Sequence, residues 1–406
     1  MRFLFLLLML ALWPAGGADA QDVPPLPQTE VVILGVDHSA QLINRRQQPG
    51  AVRAFVDAIG PAAICIERAP DRFARNDHYE FTYEIQDLLV PLARERGLPL
   101  CPFDWLPSAE DSALGLGIAD LKAVPLLRRE AGFQGFLTFP DPRSRTHGLF
   151  FADAPEEGVR HRAFYADYPD RAARDFPRRL FLYRTFMQAQ RIAAAARAYP
   201  GQRMLVVVGA MHKADIEQIL AGDPAIRTVQ PSAIAAEPDA AAMARFTRMV
   251  DLAAIATFNL LGTGWRDPHL DRAWMAEVVS ELERRSPGAE SALLAARLAE
   301  REGARPRAML ARYLVIARRA DAGYFTWTGV KDRSRIDSFF DPFGNLPVAE
   351  RALLEAARIH IDLGERSKAM AIRRRLAASL GSDFKRLQFD GYWARYVERA
   401  AFRPVT

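Results

Sequence analysis

The sequence predicts an α/β fold with a mostly parallel sheet flanked by helices, followed by an all-helical C-terminal region. Three observations support this. Val31–Val36 and Met204–Val208 are apolar, β-branched runs of the kind found in strands buried on both faces. The first third of the chain alternates strand-like and helix-like segments, which is the order of parallel, right-handed βαβ units. From about residue 236 onward, apolar residues recur only with helical spacing.

The elements of the sheet region can be assigned in chain order. Pro99 and Pro102 place the third strand at an edge of the sheet, because proline cannot donate a ladder hydrogen bond. Pro91 predicts a kink in the second helix, and Gly97 ends that helix. The predicted strands are Val31–Val36, Ala62–Ile66, Leu98–Phe103, Met204–Val208 and Ile226–Val229, and the predicted helices are Pro49–Ile59, His78–Arg96, Asp175–Tyr199 and one that begins at Ala214.

Three further regions complete the predicted organisation. Residues 21–235 form the α/β domain, and an irregular loop region, 106–175, is inserted in it as a lid or substrate loop. Residues 236–406 form the helical domain, in which an aromatic loop at Gly323–Leu346 packs between helices or presents a ligand platform. Its predicted helices are Met243–Leu260, Ala273–Arg285, Ala289–Glu302, Pro306–Arg319 and a pair within Ala349–Leu380.

The N-terminus has the pattern of a secretory signal peptide over residues 1–20. Arg2 precedes an apolar stretch, Phe3–Trp13, and Ala18-Asp19-Ala20 has small residues at the positions that signal peptidase requires. We therefore expect a periplasmic or secreted protein. Because the rest of the sequence contains no apolar run of about 18 residues, we expect no stable membrane anchor in the mature chain.

Composition narrows the classes of function. Half of the 406 residues are hydrophobic (50%), which indicates a packed globular protein. The net charge of +5 is spread along helix-like segments, so it indicates a solvated surface and not a nucleic-acid interface. The two cysteines, Cys65 and Cys101, each lie in a short strand-like run, and if those strands are neighbours they form either a disulfide or two free thiols.

The candidate site residues follow the predicted strands. The sequence contains no HExxH, GxSxG or P-loop motif. Two strands instead end in Gly-x-x-His, at His38 and His212, and Glu67 follows another. In open α/β sheets ligands bind at the carboxyl ends of the strands, where imidazole and carboxylate groups suit metal binding or acid–base chemistry. Structural histidines and a sheet-edge Glu67–Arg68 ion pair are the simpler alternatives.

Four short motifs resemble the TraB/PrgY/GumN/Tiki superfamily, which includes erythromycin esterase-like and ChaN-like proteins. They are Gly35-Val36-Asp37-His38, Glu67-Arg68, Arg184-Thr185-Phe186-Met187 and Gly209-Ala210-Met211-His212. The resemblance covers roughly residues 30–235.

The resemblance implies a metal-dependent hydrolase of peptidase or esterase type, or a metal, haem or small-ligand binding protein without catalysis. It implies that His38, Glu67 and His212 act in catalysis and hold a divalent metal ion whose identity is open. It also implies that Arg184 is a further catalytic residue and that Arg68 and Asp37 bind the substrate. The expected partner is a small molecule or a peptide.

Overall fold

One parallel sheet forms the centre of the N-terminal part. The computed structural model describes residues 27–76, 81–108, 137–166 and 172–399, so the predicted signal peptide and residues 109–136 and 167–171 of the inserted region lie outside it. The described strands are β1 (Thr29–Val36), β2 (Ala63–Ile66), β3 (Leu100–Pro102), β4 (Arg203–Gly209) and β5 (Ile226–Val229). They are all parallel, in the order β3-β2-β4-β1-β5, which confirms the α/β fold and the edge position of β3.

Helices connect the strands as a parallel sheet requires. The first begins with Pro49 and ends at Gly60, whose φ of 52° is left-handed. Pro91 lies just after a π-helical segment, Glu84–Leu89, where the predicted kinked helix was expected. The helices here are α1 (Pro49–Ile59), α2 (Pro70–Ala74), α3 (Val90–Arg96), α4 (Pro155–Ala166), α5 (Ala172–Ala196), α6 (Ala210–Leu220) and α7 (Pro231–Ile234).

The described residues of the inserted region are more regular than predicted. Residues 106–175 were expected to be an irregular loop region, but α4 lies within them and α5 begins there. Pro155 at the first helical position, with Glu156 and Glu157 in the first turn, is a favourable helix start. The weak amphipathic pattern of α4 explains why the apolar spacing did not reveal it.

The C-terminal part is helical, as predicted, with two differences. The predicted Met243–Leu260 helix is divided, because the Asp251 side chain accepts a hydrogen bond from the Arg248 N–H (2.7 Å) and starts a new helix. The last helix was not predicted, although Ser382 caps it by accepting from Lys385 N–H. The helices are α8 (Ala240–Phe246), α9 (Met249–Leu260), α10 (Arg272–Arg285), α11 (Ala289–Arg301), α12 (Pro306–Ile316), α13 (Val348–Asp362), α14 (Arg366–Ser379) and α15 (Asp383–Tyr396).

Apolar side chains cover both faces of the sheet. Val31 and Ile33 of β1 belong to one buried cluster, which also contains side chains of α5 and α6. Val32 and Leu34 belong to a larger cluster that continues into α9, α10, α11 and α13. The predicted boundary between residues 235 and 236 therefore crosses a continuous core.

Buried charges are paired in the helical region. Glu355 of α13 is completely buried, and its carboxylate lies 3.0 Å from Arg297, 3.0 Å from Arg358 and 3.2 Å from Arg351. Burial disfavours the charged carboxylate, but the three guanidinium groups outweigh burial and lower the pKa of Glu355 to about 2. This network holds α11 and α13 together.

Two remaining expectations concern the cysteines and the membrane. Cys65 and Cys101 are register partners on β2 and β3, and both are free thiols in this structure. None of the helices in the described part of the chain combines the length and the apolar character needed to cross a bilayer.

Candidate functional site

Three strand ends bring the predicted residues together. His38 lies two residues after β1, Glu67 directly after β2, and His212 in the first turn of α6 after β4. Because β2, β4 and β1 are consecutive in the sheet, these ends meet. The Glu67 carboxylate lies between the two imidazoles: His38 Nε2 is 3.7 Å from Glu67 Oε2, and His212 Nε2 is 3.8 Å from Glu67 Oε1.

The two Gly-x-x-His segments differ in their placement. Gly35 is the register partner of Val208, whereas Gly209 is the partner of Val36, so the motifs are offset by one residue. Neither glycine has a positive φ, so backbone conformation does not require glycine at either position. Space is the reason at Gly209, because a Cβ there would lie 3.1 Å from His38 Nε2 and 3.5 Å from Glu67 Oε2.

Arg184 of α5 is at the centre of the site. Its guanidinium donates to Glu67 Oε1 (2.7 Å) and to both carboxylate oxygens of Asp104 (2.8 and 2.9 Å). Its NH1 lies 3.4 Å from His212 Nε2. Asp104, which follows β3, is completely buried, so this is a bidentate ion pair in a desolvated setting. The structure thus brings Arg184 to the other three predicted catalytic residues.

Glu67 is an ionised carboxylate with both oxygens engaged. Oε1 accepts from Arg184, and Oε2 accepts from the Gly209 N–H at 2.7 Å. Burial raises the pKa of Glu67, but the charges of Arg184, His38 and His212 and the backbone hydrogen bond outweigh burial and lower the pKa to about 2.

His38 is held by a carboxylate that the sequence did not reveal. Its Nδ1 lies 2.7 Å from Glu84 Oε1, and its side chain is 18% exposed. Burial lowers the pKa of His38, but the Glu84 charge and hydrogen bond, helped by Glu67, raise it to about 9. His38 is therefore a cation at neutral pH.

His212 has the opposite charge state. Thr185 donates its hydroxyl hydrogen to the Phe181 carbonyl (2.9 Å), so its oxygen accepts from His212 Nδ1–H (2.7 Å). The Phe181 ring stacks on the imidazole at 4.5 Å. Burial lowers the pKa of His212, the charge of Glu67 opposes this, and Arg184 and His38 bring it to about 3. His212 is neutral, and its Nε2 lone pair faces Glu67 and Arg184.

The two predicted substrate-binding residues both hydrogen-bond to other side chains of the protein. Asp37 accepts a hydrogen bond from Ser144 Oγ at 2.8 Å. Arg68 is completely buried and donates to Thr82 Oγ1 at 2.8 Å. Their role in substrate binding stays a prediction.

The donor set does not fit a divalent metal ion in this arrangement. Within the described ranges, no group of three or more His, Cys, Asp or Glu side chains has the geometry of a metal site. The guanidinium of Arg184 bridges Glu67 and His212, where an ion shared by those two residues would lie. A metal ion at this position requires Arg184 to move away, and the expected metal stays a prediction.

Another cleft lies elsewhere in the molecule. It has a volume of about 210 Å³ and is lined by residues of α8, α9 and α10 and by two residues that precede α1, among them Met243, Leu252 and Trp274. None of its lining residues is a histidine, and none belongs to the strand ends. We therefore place the candidate site at His38, Glu67, Arg184 and His212.

Sequence reasoning missed the residues that support the site. Gln188 lies one helical turn after Arg184 and donates to Asp104 Oδ1 at 2.8 Å, so the helical spacing of Arg184 and Gln188 was a usable signal. Thr185 was part of the quoted motif but had no assigned role. Nothing in the sequence around Glu84 shows which side chain it meets, because that contact joins separate elements.

Comparison with known proteins adds no relative. Neither protein-family models nor curated proteins nor solved structures gave a match to this chain. The fold and the site define an α/β protein with two imidazoles, a carboxylate and an arginine at the carboxyl edge of a parallel sheet. The resemblance to the TraB/PrgY/GumN/Tiki superfamily stays a prediction that rests on its four motifs.

Proposed function

We propose that this protein is a hydrolase that cleaves an ester or peptide bond by acid–base chemistry at His38, Glu67, Arg184 and His212. The observation that carries the proposal is the Glu67 carboxylate between two imidazoles, 3.7 Å from one and 3.8 Å from the other. The site lies at the carboxyl ends of parallel strands, where α/β proteins bind their ligands.

The two histidines suit different halves of a hydrolysis. His212 is neutral and holds its proton on Nδ1, so its Nε2, which lies 3.4 Å from Arg184 NH1, accepts a proton from the attacking water. The water oxygen bonds to the carbonyl carbon, and the negative charge that develops on the carbonyl oxygen is stabilised by Arg184. The carbonyl then re-forms, the bond from its carbon to the ester oxygen or amide nitrogen breaks, and His38, a cation, donates its Nε2 proton to the leaving alcohol or amine. The Glu67 carboxylate holds the two cations, Arg184 and His38, in place.

The proposal includes export and a small substrate. The signal-peptide pattern of residues 1–20 supports a periplasmic or secreted location. A small-molecule or peptide substrate is consistent with a site in which the most exposed imidazole, His38, is 18% exposed. No nucleic acid and no membrane anchor form part of the proposal.

A panel of chromogenic esters and a mixed peptide library test this function. We expect the purified protein to hydrolyse members of one class, and His38→Asn and His212→Asn to lower kcat/KM by about 10²- to 10⁴-fold. His269→Asn, at an exposed histidine, is the matched control and should keep full activity. Hydrolysis that both site variants retain contradicts the proposal. Binding of a panel member without turnover identifies the non-catalytic binding protein instead.

A further inference from the structure

We infer that Glu84 is a positioning residue for this site, which fixes the imidazole of His38 with Nδ1–H toward Glu84 and Nε2 toward Glu67. The inference rests on the proposed function for its catalytic meaning. Its geometry is independent: Glu84 Oε1 lies 2.7 Å from His38 Nδ1, and the carboxylate is completely buried. Which imidazole nitrogen faces the site is set by the hydrogen bond that the other nitrogen makes.

Both carboxylate oxygens of Glu84 are used. Oε2 accepts from the backbone N–H of Ser39 at 2.9 Å, while Oε1 faces His38. Two adjacent residues therefore point their donors at one carboxylate, and the plane of that carboxylate is fixed. An amide in its place cannot accept from both donors, because one of its two heteroatoms is itself a donor.

The backbone around this contact is unusual on both sides. Ser39 has a φ of 62°, a left-handed conformation that is strained for serine. Glu84 begins the π-helical segment Glu84–Leu89, and π-helical turns are frequent at functional sites. Such conformations persist where surrounding contacts determine them, and here they bring Glu84 to His38.

Ser39 joins the two segments a second time. Its hydroxyl donates to the Phe81 carbonyl at 2.5 Å and accepts from the Tyr83 N–H at 3.0 Å. Ser39, the residue after His38, and Tyr83, the residue before Glu84, are thus joined by a hydrogen bond. The two hydrogen bonds of the Ser39 hydroxyl therefore hold the segment that carries His38 against the segment that carries Glu84.

The test reads the His38 ring directly and needs no substrate. The full chain is labelled with ¹⁵N-histidine, and the signals of its seven histidines are recorded by long-range ¹H–¹⁵N correlation, with His38→Asn to assign His38. We expect a His38 Nδ1 proton protected from exchange with water in the unaltered chain, and its loss in Glu84→Gln. Glu355→Gln, at an equally buried glutamate that contacts arginines, should leave that proton unchanged.

Activity gives the second reading. Glu84→Gln should lower kcat by on the order of 10²-fold, with KM changed less than about twofold, because Glu84 acts through His38 and does not touch the substrate. A His38 Nδ1 proton that Glu84→Gln leaves protected overturns the inference. If Glu84→Gln does not fold, an unprotected Nδ1 proton in the unaltered chain overturns it equally. Failure of the hydrolase proposal would leave the ring signals as they are, so the two outcomes can be told apart.

Discussion

Replacing Arg184 with methionine tests the central feature of the site. The Arg184 side chain is 17% exposed, and its guanidinium neutralises two carboxylates, Glu67 and Asp104, whose side chains are 4% and 0% exposed. Methionine keeps the length and apolar stem of the side chain but removes every donor. Glu67 then keeps the Gly209 N–H and the His38 imidazole, whose Nε2 is 3.7 Å away, and Asp104 keeps the Gln188 amide, but both carboxylates lose the charged hydrogen bonds that Arg184 donates.

The expected loss of stability is large. Removing one partner of a buried ion pair costs about 3–5 kcal/mol, because an uncompensated charge stays buried. Folded proteins have free energies of unfolding of about 5–15 kcal/mol, so we expect Arg184→Met to fold but to lose a large part of its free energy of unfolding. Arg179→Met is the control on the same helix: its ion pair with Asp175 is 2.6 Å long but 64% and 32% exposed, and should be worth less than about 1 kcal/mol.

Urea unfolding followed by circular dichroism, in metal-free buffer, measures both variants. A second measurement adds zinc. In Arg184→Met the freed carboxylates and His212 Nε2 become available as ligands, and zinc at 100 times its Kd should restore about 2.7 kcal/mol. We expect no such gain in the unaltered chain, where Arg184 holds those donors.

Two results would refute this reasoning. Arg184→Met could lose no more stability than Arg179→Met, in which case the guanidinium is not what compensates the buried carboxylates. Alternatively, the unaltered chain could bind one equivalent of zinc as tightly as the variant does. Arg184 would then not occupy the position of an ion, and the predicted metal-dependent hydrolase would gain support.

Three further predictions concern single side chains. The pKa of His38 rises from 6.5 in the unfolded chain to about 9 in the folded protein, so protonated His38 stabilises the fold by about 3 kcal/mol below pH 6.5, and this contribution is lost as the pH rises through 9. Urea unfolding at a series of pH values should therefore show a smaller dependence of the free energy of unfolding on pH in His38→Asn. Thr185→Val leaves His212 Nδ1–H without its acceptor and should destabilise the fold by about 1–3 kcal/mol in the same assay. Glu355→Gln weakens three buried contacts to arginine and should lower the midpoint of thermal unfolding by several degrees for each kcal/mol lost.

The strand ends could be predicted because each depends on local sequence. Apolar, β-branched runs give the strands, and parallel pairing brings their carboxyl ends to one edge, so the meeting of His38, Glu67 and His212 followed from the pattern. Arg184 was recognised from its motif alone. Its bidentate contact with Asp104 could not be, because β3 and α5 are far apart in the chain.

The charge states of His38 and His212 could not be predicted from the sequence for the same reason. His38 and His212 stand in nearly identical segments, yet one meets Glu84 and the other meets Thr185. Glu84 lies in the π-helical segment and Thr185 in α5, and no sequence pattern shows that these elements pack against the strand ends. The sequence therefore predicted where the imidazoles lie, whereas their different protonation depends on tertiary contacts.

The one-residue offset between β1 and β4 has a consequence for any comparison of the two halves. Residues at matching motif positions, such as Leu34 and Val208, face opposite sides of the sheet and belong to different buried clusters. Aligning the two segments by their shared Gly-x-x-His motif therefore pairs residues that lie on opposite faces of the sheet. A substitution at one position of the motif is then expected to affect a different buried cluster in each strand.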